Sequence, residues 1–187
     1  MLTAFLPWLP EIILNLVLFS GGVESTALLS RVSSNDLIIT VKQPYVNNLE
    51  TYSEHGTKIL KYYALERQFV SISIPSNPLF VHQLKYFIPI ASLIWQTVPF
   101  KEIWIGRNVE DKTQEVLELV DTLQTGLNMF APGVVINHPL DYLTKQQQWD
   151  IIPKQLRSLV VSCIYENECG GCYKCKEKNS LILQKDT

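Results

Sequence analysis

Five short apolar runs divide the chain and restrict the folds open to it: "LNLVLF" (14–19), "DLIITV" (36–41), "FVSISI" (69–74), "EIWIG" (102–106) and "GVVIN" (133–137). Their hydrophobicity is near-continuous rather than alternating, the pattern of strands covered on both faces, as in a parallel sheet. The segments between them carry helical spacing. Leu49, Tyr52, Gly56, Ile59 and Tyr63 form one such series, and Val116, Val120, Leu123 and Leu127 another. Strands alternating with helices predict an α/β fold with a doubly wound parallel sheet. With 187 residues, 47% hydrophobic and 18% charged, the chain suits one domain, 1–187, with a sizeable core.

A formal net charge of -2 supplies no overall electrostatic reason to bind nucleic acid, so any such role must come from a local site. The opening stretch "MLTAFLPWLPEIILNLVLF" is apolar, but Pro7 and Pro10 interrupt it, it carries Glu11 and Asn15, and it has neither a basic leading region nor a small-residue cleavage pattern. It reads as a short extension running into the first strand. A cytoplasmic location without membrane association is expected.

The first apolar run ends in Ser20-Gly21-Gly22-Val23-Glu24-Ser25-Thr26. Ser20 falls just past the carboxyl end of the first strand, where open α/β sheets bind ligands, and Ser25 or Thr26 is expected to open the next helix. Two glycines let the backbone bend tightly and bring N–H groups close to a ligand, and a helix N-terminus favours negative charge. Ser20 and Ser25 would add hydroxyl donors. The parts suit a phosphate. A Walker A loop would need a Lys-Ser/Thr pair after a longer gap, which is missing here.

All four cysteines fall in "CIYENECGGCYKC": Cys163, Cys169, Cys172 and Cys175. Such clustering speaks for a metal and against a disulfide framework. Four thiolates suit a tetrahedral structural zinc, and overlapping C-x-x-C steps also suit an iron–sulfur cluster. Of the histidines, His55 and His82 fall in or near helical patterns and read as structural. His138 lies just beyond the fifth strand, at the sheet's ligand edge. Trp95, Trp104 and Trp149 read as core.

The stretch Ser20–Ser25 resembles the SGGxDS signature of the PP-loop ATP pyrophosphatases, with Glu24 where that superfamily usually has Asp. Together with the terminal four-cysteine knuckle, "EIWIGRN" and "HPLDYLTKQQ", it is similar to the QueC family of 7-cyano-7-deazaguanine synthases over roughly residues 14–178. Three family segments differ. The Pro-Gly-Arg-Asn segment is here Phe87-Ile88-Pro89-Ile90-Ala91-Ser92, the substrate loop after the fourth strand is Val109-Glu110-Asp111-Lys112-Thr113-Gln114, and the tyrosine-rich Gln-His motif is only echoed by Lys42-Gln43-Pro44-Tyr45.

The resemblance implies an adenine nucleotide alpha hydrolase-like fold with a zinc knuckle at 163–175, and an ATP-dependent ligase that adenylates a deazaguanine carboxylate for amide and nitrile formation. ATP would lie over Ser20, Gly21, Gly22, Val23, Glu24, Ser25 and Thr26, with Mg2+ as its companion. Lys145, in the matching Leu-x-Lys segment, and Arg107, at the end of the fourth strand, would serve as catalytic cations, and zinc would sit on Cys163, Cys169, Cys172 and Cys175. The altered segments suggest a changed acceptor, such as a protein or nucleic acid in a phage or anti-phage setting, or takeover of carboxylate recognition by Arg107 and Asn108. A homodimer is expected. Two other readings are a PP-loop tRNA-modifying enzyme and a non-catalytic, zinc-stapled binding subunit.

Overall fold

The computed structural model describes residues 14–42, 49–73, 83–161 and 169–183. Strands β1 (Asn15–Leu18), β2 (Leu37–Lys42), β3 (Phe69–Ser73), β4 (Glu102–Ile105) and β5 (Val135–Asn137) form a sheet in the order β3-β2-β1-β4-β5. Every neighbouring pair is parallel, with Leu18 in register with Ile39 on one side and Ile105 on the other. Helices follow the strands: α1 (Val23–Leu28), α2 (Leu49–Tyr62), α3 (Gln83–Thr97), α4 (Gln114–Phe130), α5 (Lys145–Ile151) and α6 (Tyr173–Leu183). The expected doubly wound α/β fold is therefore present.

The near-continuous apolar runs follow from burial on both faces. Leu16 and Leu18 of β1 pack with Leu37, Ile39, Ile103 and Ile105 against Ile88 and Ala91 of α3 and Leu127 of α4. Val17 and Phe19 point the other way, joining Ile38 in a second core with Ala27, Ile59, Trp149 and Leu181. Trp149 is fully buried and Trp95 and Trp104 are packed against the cores, as expected. Burying one leucine or isoleucine side chain contributes roughly 1.5–3 kcal/mol, so these two layers dominate the stability of the sheet.

Strand order decides where a ligand can sit. The chain winds outward from β1 through β2 to β3, crosses back, and lays β4 on the other side of β1. Connections from the two central strands thus leave in opposite directions and open a crevice at their carboxyl ends. Ser20–Gly22 leaves β1 there, and Gly106–Asn108 leaves β4 beside it.

Local boundaries differ from the sequence reading in two places. Helix α1 opens at Val23 rather than at Ser25 or Thr26, because Gly22, in extended conformation, already serves as its N-cap. The segment Val109–Gln114, read as a replaced loop, is a 3-10 turn over Val109–Asp111 followed by the start of α4. Asn108 caps that turn in a reciprocal capping box with Asp111. At the sheet's β5 side, the Gln124 amide of α4 receives a hydrogen bond from Ile136 N (2.7 Å) and donates one to Val134 O (2.8 Å). Among the described residues, no helix is long and apolar enough to cross a membrane.

Candidate functional site

The loop after β1 is shaped by its own hydroxyls. Ser25 Oγ donates to Gly22 O at 3.2 Å, and accepts from Ser20 N at 3.2 Å and from Ser20 Oγ at 3.0 Å. Without a ligand, Ser25 therefore staples the loop. Val23 and Thr26 are fully buried, so their side chains serve the core rather than a ligand. Gly21 takes φ +78°, a left-handed conformation that glycine adopts without Cβ strain. The first-turn amides of α1 have no side-chain cap at Gly22, and such amides suit an anionic ligand.

Gly106 is the loop's counterpart on β4. A Cβ built there would lie 2.7 Å from both Glu24 C and Ser25 N, so the end of β4 and the start of α1 touch backbone to backbone. This approach also brings Asn108 to the loop. Asn108 is buried; its Oδ1 accepts from Asp111 N at 3.0 Å and its Nδ2 donates to Glu24 Oε1 at 3.3 Å. Asn108 is thus committed to capping and to orienting Glu24.

Lys145 opens α5 behind a Thr144–Gln147 capping box. Unlike an ordinary helix-start lysine it is buried, and its ammonium lies 2.7 Å from Glu24 Oε1 and 2.6 Å from Glu177 Oε2 of α6. Lys174 Nζ stands 3.5 Å from the same Glu177 oxygen. Burial pushes the Glu24 carboxyl up, but the charge and hydrogen bond of Lys145, its own backbone amide and Lys174 outweigh this and hold it below the usual carboxylate range. Burial alone would lower Lys145; Glu24 and Glu177 overcome it and raise the ammonium well above the usual lysine range. Both groups are charged at neutral pH.

Arg107 heads a second polar group beside the crevice. Its Nη2 donates to Asp141 Oδ2 at 2.8 Å, and Lys112 Nζ is 3.2 Å from the same oxygen. The Arg107 carbonyl accepts from Gln148 Nε2 at 2.7 Å, which fixes the main chain at that point. Arg107 Nε and Nη1 are buried without a hydrogen-bond partner among the described residues, and so is His138 Nε2. His138 Nδ1 meets Ile105 O at 3.0 Å; since a carbonyl only accepts, Nδ1 carries the proton. Burial lowers the His138 imidazole, Ile105 O counters, and Arg107 adds to the lowering, leaving it below its ordinary value. The neutral ring then keeps an acceptor at Nε2.

Cys169, Cys172 and Cys175 converge at the start of α6, with Sγ atoms all within 4.8 Å of one another. Three thiolates around one zinc would be spaced about 3.8 Å apart, given Zn–S bonds of about 2.3 Å, so the set fits a metal or cluster. Amide hydrogen bonds run from Cys172 N to Cys169 Sγ and from Cys175 N to Cys172 Sγ, both 3.4 Å, and hold these sulfurs in place. Cys163, His82 and the Gln43-Pro44-Tyr45 echo lie outside the described residues. The cysteine segment and the β1 loop are also joined by main chain: Val161 N donates to Gly21 O at 2.9 Å, and Lys178 Nζ of α6 donates to Val160 O at 2.6 Å.

No family model matches the chain, and a search of curated proteins finds no match. Among solved structures it is similar to the U34-tRNA thiolase NcsA from Methanococcus maripaludis with its [4Fe-4S] cluster, at a TM-score of 0.57 and 14% identity, over 95% of this chain and 68% of that one. The two share an α/β architecture. At that identity the likeness concerns architecture.

The structure thus brings Ser20–Thr26, Lys145 and the end of β4 together, and links them to the cysteines through Glu177. Glu177, Asp141 and Gln148 were not singled out from the sequence. The Asn108 cap was readable as Asn-Val-Glu-Asp, whereas nothing local marks Glu177 as a partner of Lys145.

Proposed function

We propose that the chain is an ATP-dependent PP-loop enzyme, a QueC-like ligase that adenylates the carboxylate of 7-carboxy-7-deazaguanine or a relative. The observation that carries this reading is the convergence of the Ser20–Thr26 loop and a buried, oriented Lys145 at the crevice between β1 and β4. ATP phosphates would lie over the loop amides, with Mg2+ held near Glu24. The substrate's carboxylate oxygen attacks the α phosphorus and pyrophosphate leaves, its charge met by the loop and Lys145. Ammonia then displaces AMP to give an amide, and a second adenylation on the amide oxygen lets AMP depart as the nitrile forms. Conjugation to a protein or nucleic-acid acceptor in a phage or anti-phage setting is the variant suggested by the altered substrate segments. Arg107, with two buried donors that have no partner among the described residues, is the side chain suited to the substrate's oxygens. A homodimer belongs to the same reading.

Incubation with magnesium ATP and 7-carboxy-7-deazaguanine is expected to release pyrophosphate, and to form the nitrile only when ammonium is added. Pyrophosphate without nitrile would keep adenylation and redirect the search to another acceptor. Absence of pyrophosphate release under either condition would count against the ligase.

A second reading, a tRNA thiolase, is favoured by the cysteine triad and by the architecture shared with NcsA. Metal content separates the two. Zinc on Cys163, Cys169, Cys172 and Cys175 should give about one equivalent per chain and a colourless protein, since four thiolates close the coordination sphere. A brown protein containing iron and acid-labile sulfide would favour the thiolase.

A further inference from the structure

We propose that Glu177 is a positioning residue for the nucleotide loop, and that through it the cysteine site and the nucleotide are energetically coupled. The inference rests on the nucleotide reading of Ser20–Thr26 given above. An ammonium has three donors. Lys145 Nζ makes ion-pair contacts with Glu24 Oε1 at 2.7 Å and with Glu177 Oε2 at 2.6 Å, so two carboxylates from different elements hold the ammonium in place; the Glu177 contact is one of charge and proximity, since that oxygen has no aligned hydrogen bond among the described residues. Glu24 belongs to the loop itself. Glu177 belongs to α6, two residues beyond Cys175, which is buried.

The placement of α6 therefore contributes to the placement of the Lys145 ammonium. That placement is fixed at its start by whatever the three cysteines hold, and along its length by Lys178 on Val160 O. Val161, adjoining, is bonded to Gly21 O. Two routes, one ionic and one main-chain, thus run from the cysteine segment to the loop. A lysine that meets phosphates and is aimed by a glutamate from a separate helix is the arrangement by which protein kinases make lysine geometry depend on helix position. Charge balance permits the same logic here: Lys145 and Lys174 offset Glu24 and Glu177, so the site is neutral overall until phosphates arrive.

Coupling between two sites is reciprocal, which permits a test at the metal. Protein reconstituted with Zn2+ is titrated to equilibrium with a competing chromophoric chelator, with and without a saturating non-hydrolysable ATP analogue and Mg2+, and the zinc affinity is read from the competition. In the wild type, the nucleotide is expected to tighten zinc binding about fivefold or more, the lower end of ordinary coupling. Glu177→Ala should still take up zinc, bind the analogue about tenfold more weakly or worse, and hold zinc with one affinity with or without it. Glu177→Gln, which keeps the side chain's length and a polar oxygen facing Lys145, should recover part of both effects.

Equal wild-type zinc affinities with and without bound nucleotide would overturn the coupling while leaving the nucleotide site intact. Tighter nucleotide binding by Glu177→Ala would make Glu177 a competitor for Lys145 and overturn the positioning role. Failure of the wild type to bind the analogue at all would overturn the nucleotide reading, and the coupling with it.

Discussion

Gly106→Ala is expected to weaken binding of an ATP analogue by about 10- to 100-fold, equivalent to roughly 1.4–2.7 kcal/mol, in a protein that still folds. The added methyl would stand 2.7 Å from Glu24 C and Ser25 N, and backbone atoms cannot swing aside as a side-chain tip can. Relief requires β4 and α1 to part, at a cost of about 1–3 kcal/mol for an overpacked contact, and the parting displaces the amides at which phosphates would bind. Gly21→Val should act on the same loop by a different route. Its φ of +78° is costly for a β-branched residue, by about 1–3 kcal/mol, and nucleotide binding should be abolished. Calorimetric titration, with circular dichroism to confirm folding, measures both. Wild-type affinity in either folded variant would remove the loop from the nucleotide site.

Lys145→Met is expected to lower stability by about 3–5 kcal/mol at neutral pH, the usual consequence of stripping one partner from a buried ion pair. It leaves Glu24 with Asn108 as its remaining side-chain partner among the described residues. The pH dependence carries a sign. Glu24 is held below its ordinary 4.5, so its contribution is present above that value and is lost as pH falls through the lower folded value. Lys145 is raised, so its contribution is complete below the ordinary lysine value of about 10.4 and is lost only as pH rises through the folded one. The deficit of Lys145→Met should accordingly be largest near neutrality and shrink in acid, where a protonated Glu24 no longer needs a cation. Urea denaturation at neutral and acid pH tests this. A deficit that stays constant with pH would show that lost packing, not the ion pair, is responsible.

The sheet was legible because burial on both faces leaves a mark in the sequence itself. Val17 and Leu16 are both fully buried although they point to opposite sides, and only a covered parallel strand asks for that. The loop was legible from its glycines and serines, but the part played by Ser25 was not. Its hydroxyl was read as a phosphate donor, and in the ligand-free fold it bonds the loop's own backbone. Lys145 shows the limit more sharply. Its capping box announces a helix start, where lysines are ordinarily solvated, and its partners are carboxylates at 24 and 177, on two elements far apart in the sequence. Pairings at that separation carry no periodicity and no motif.

Gln124 has a consequence for self-association. A strand at the margin of a sheet offers unpaired N–H and C=O groups to any chain able to align with it. On β5 the outward N–H of Ile136 and C=O of Val134 are already taken by a side-chain amide that imitates the next strand. A second copy adding to this margin by β-augmentation, or a fibril growing from it, would first have to evict that amide, giving up two hydrogen bonds worth about 1 kcal/mol each. Assembly by continuation of the sheet is therefore opposed at β5, and one helix residue keeps that margin from acting as a template.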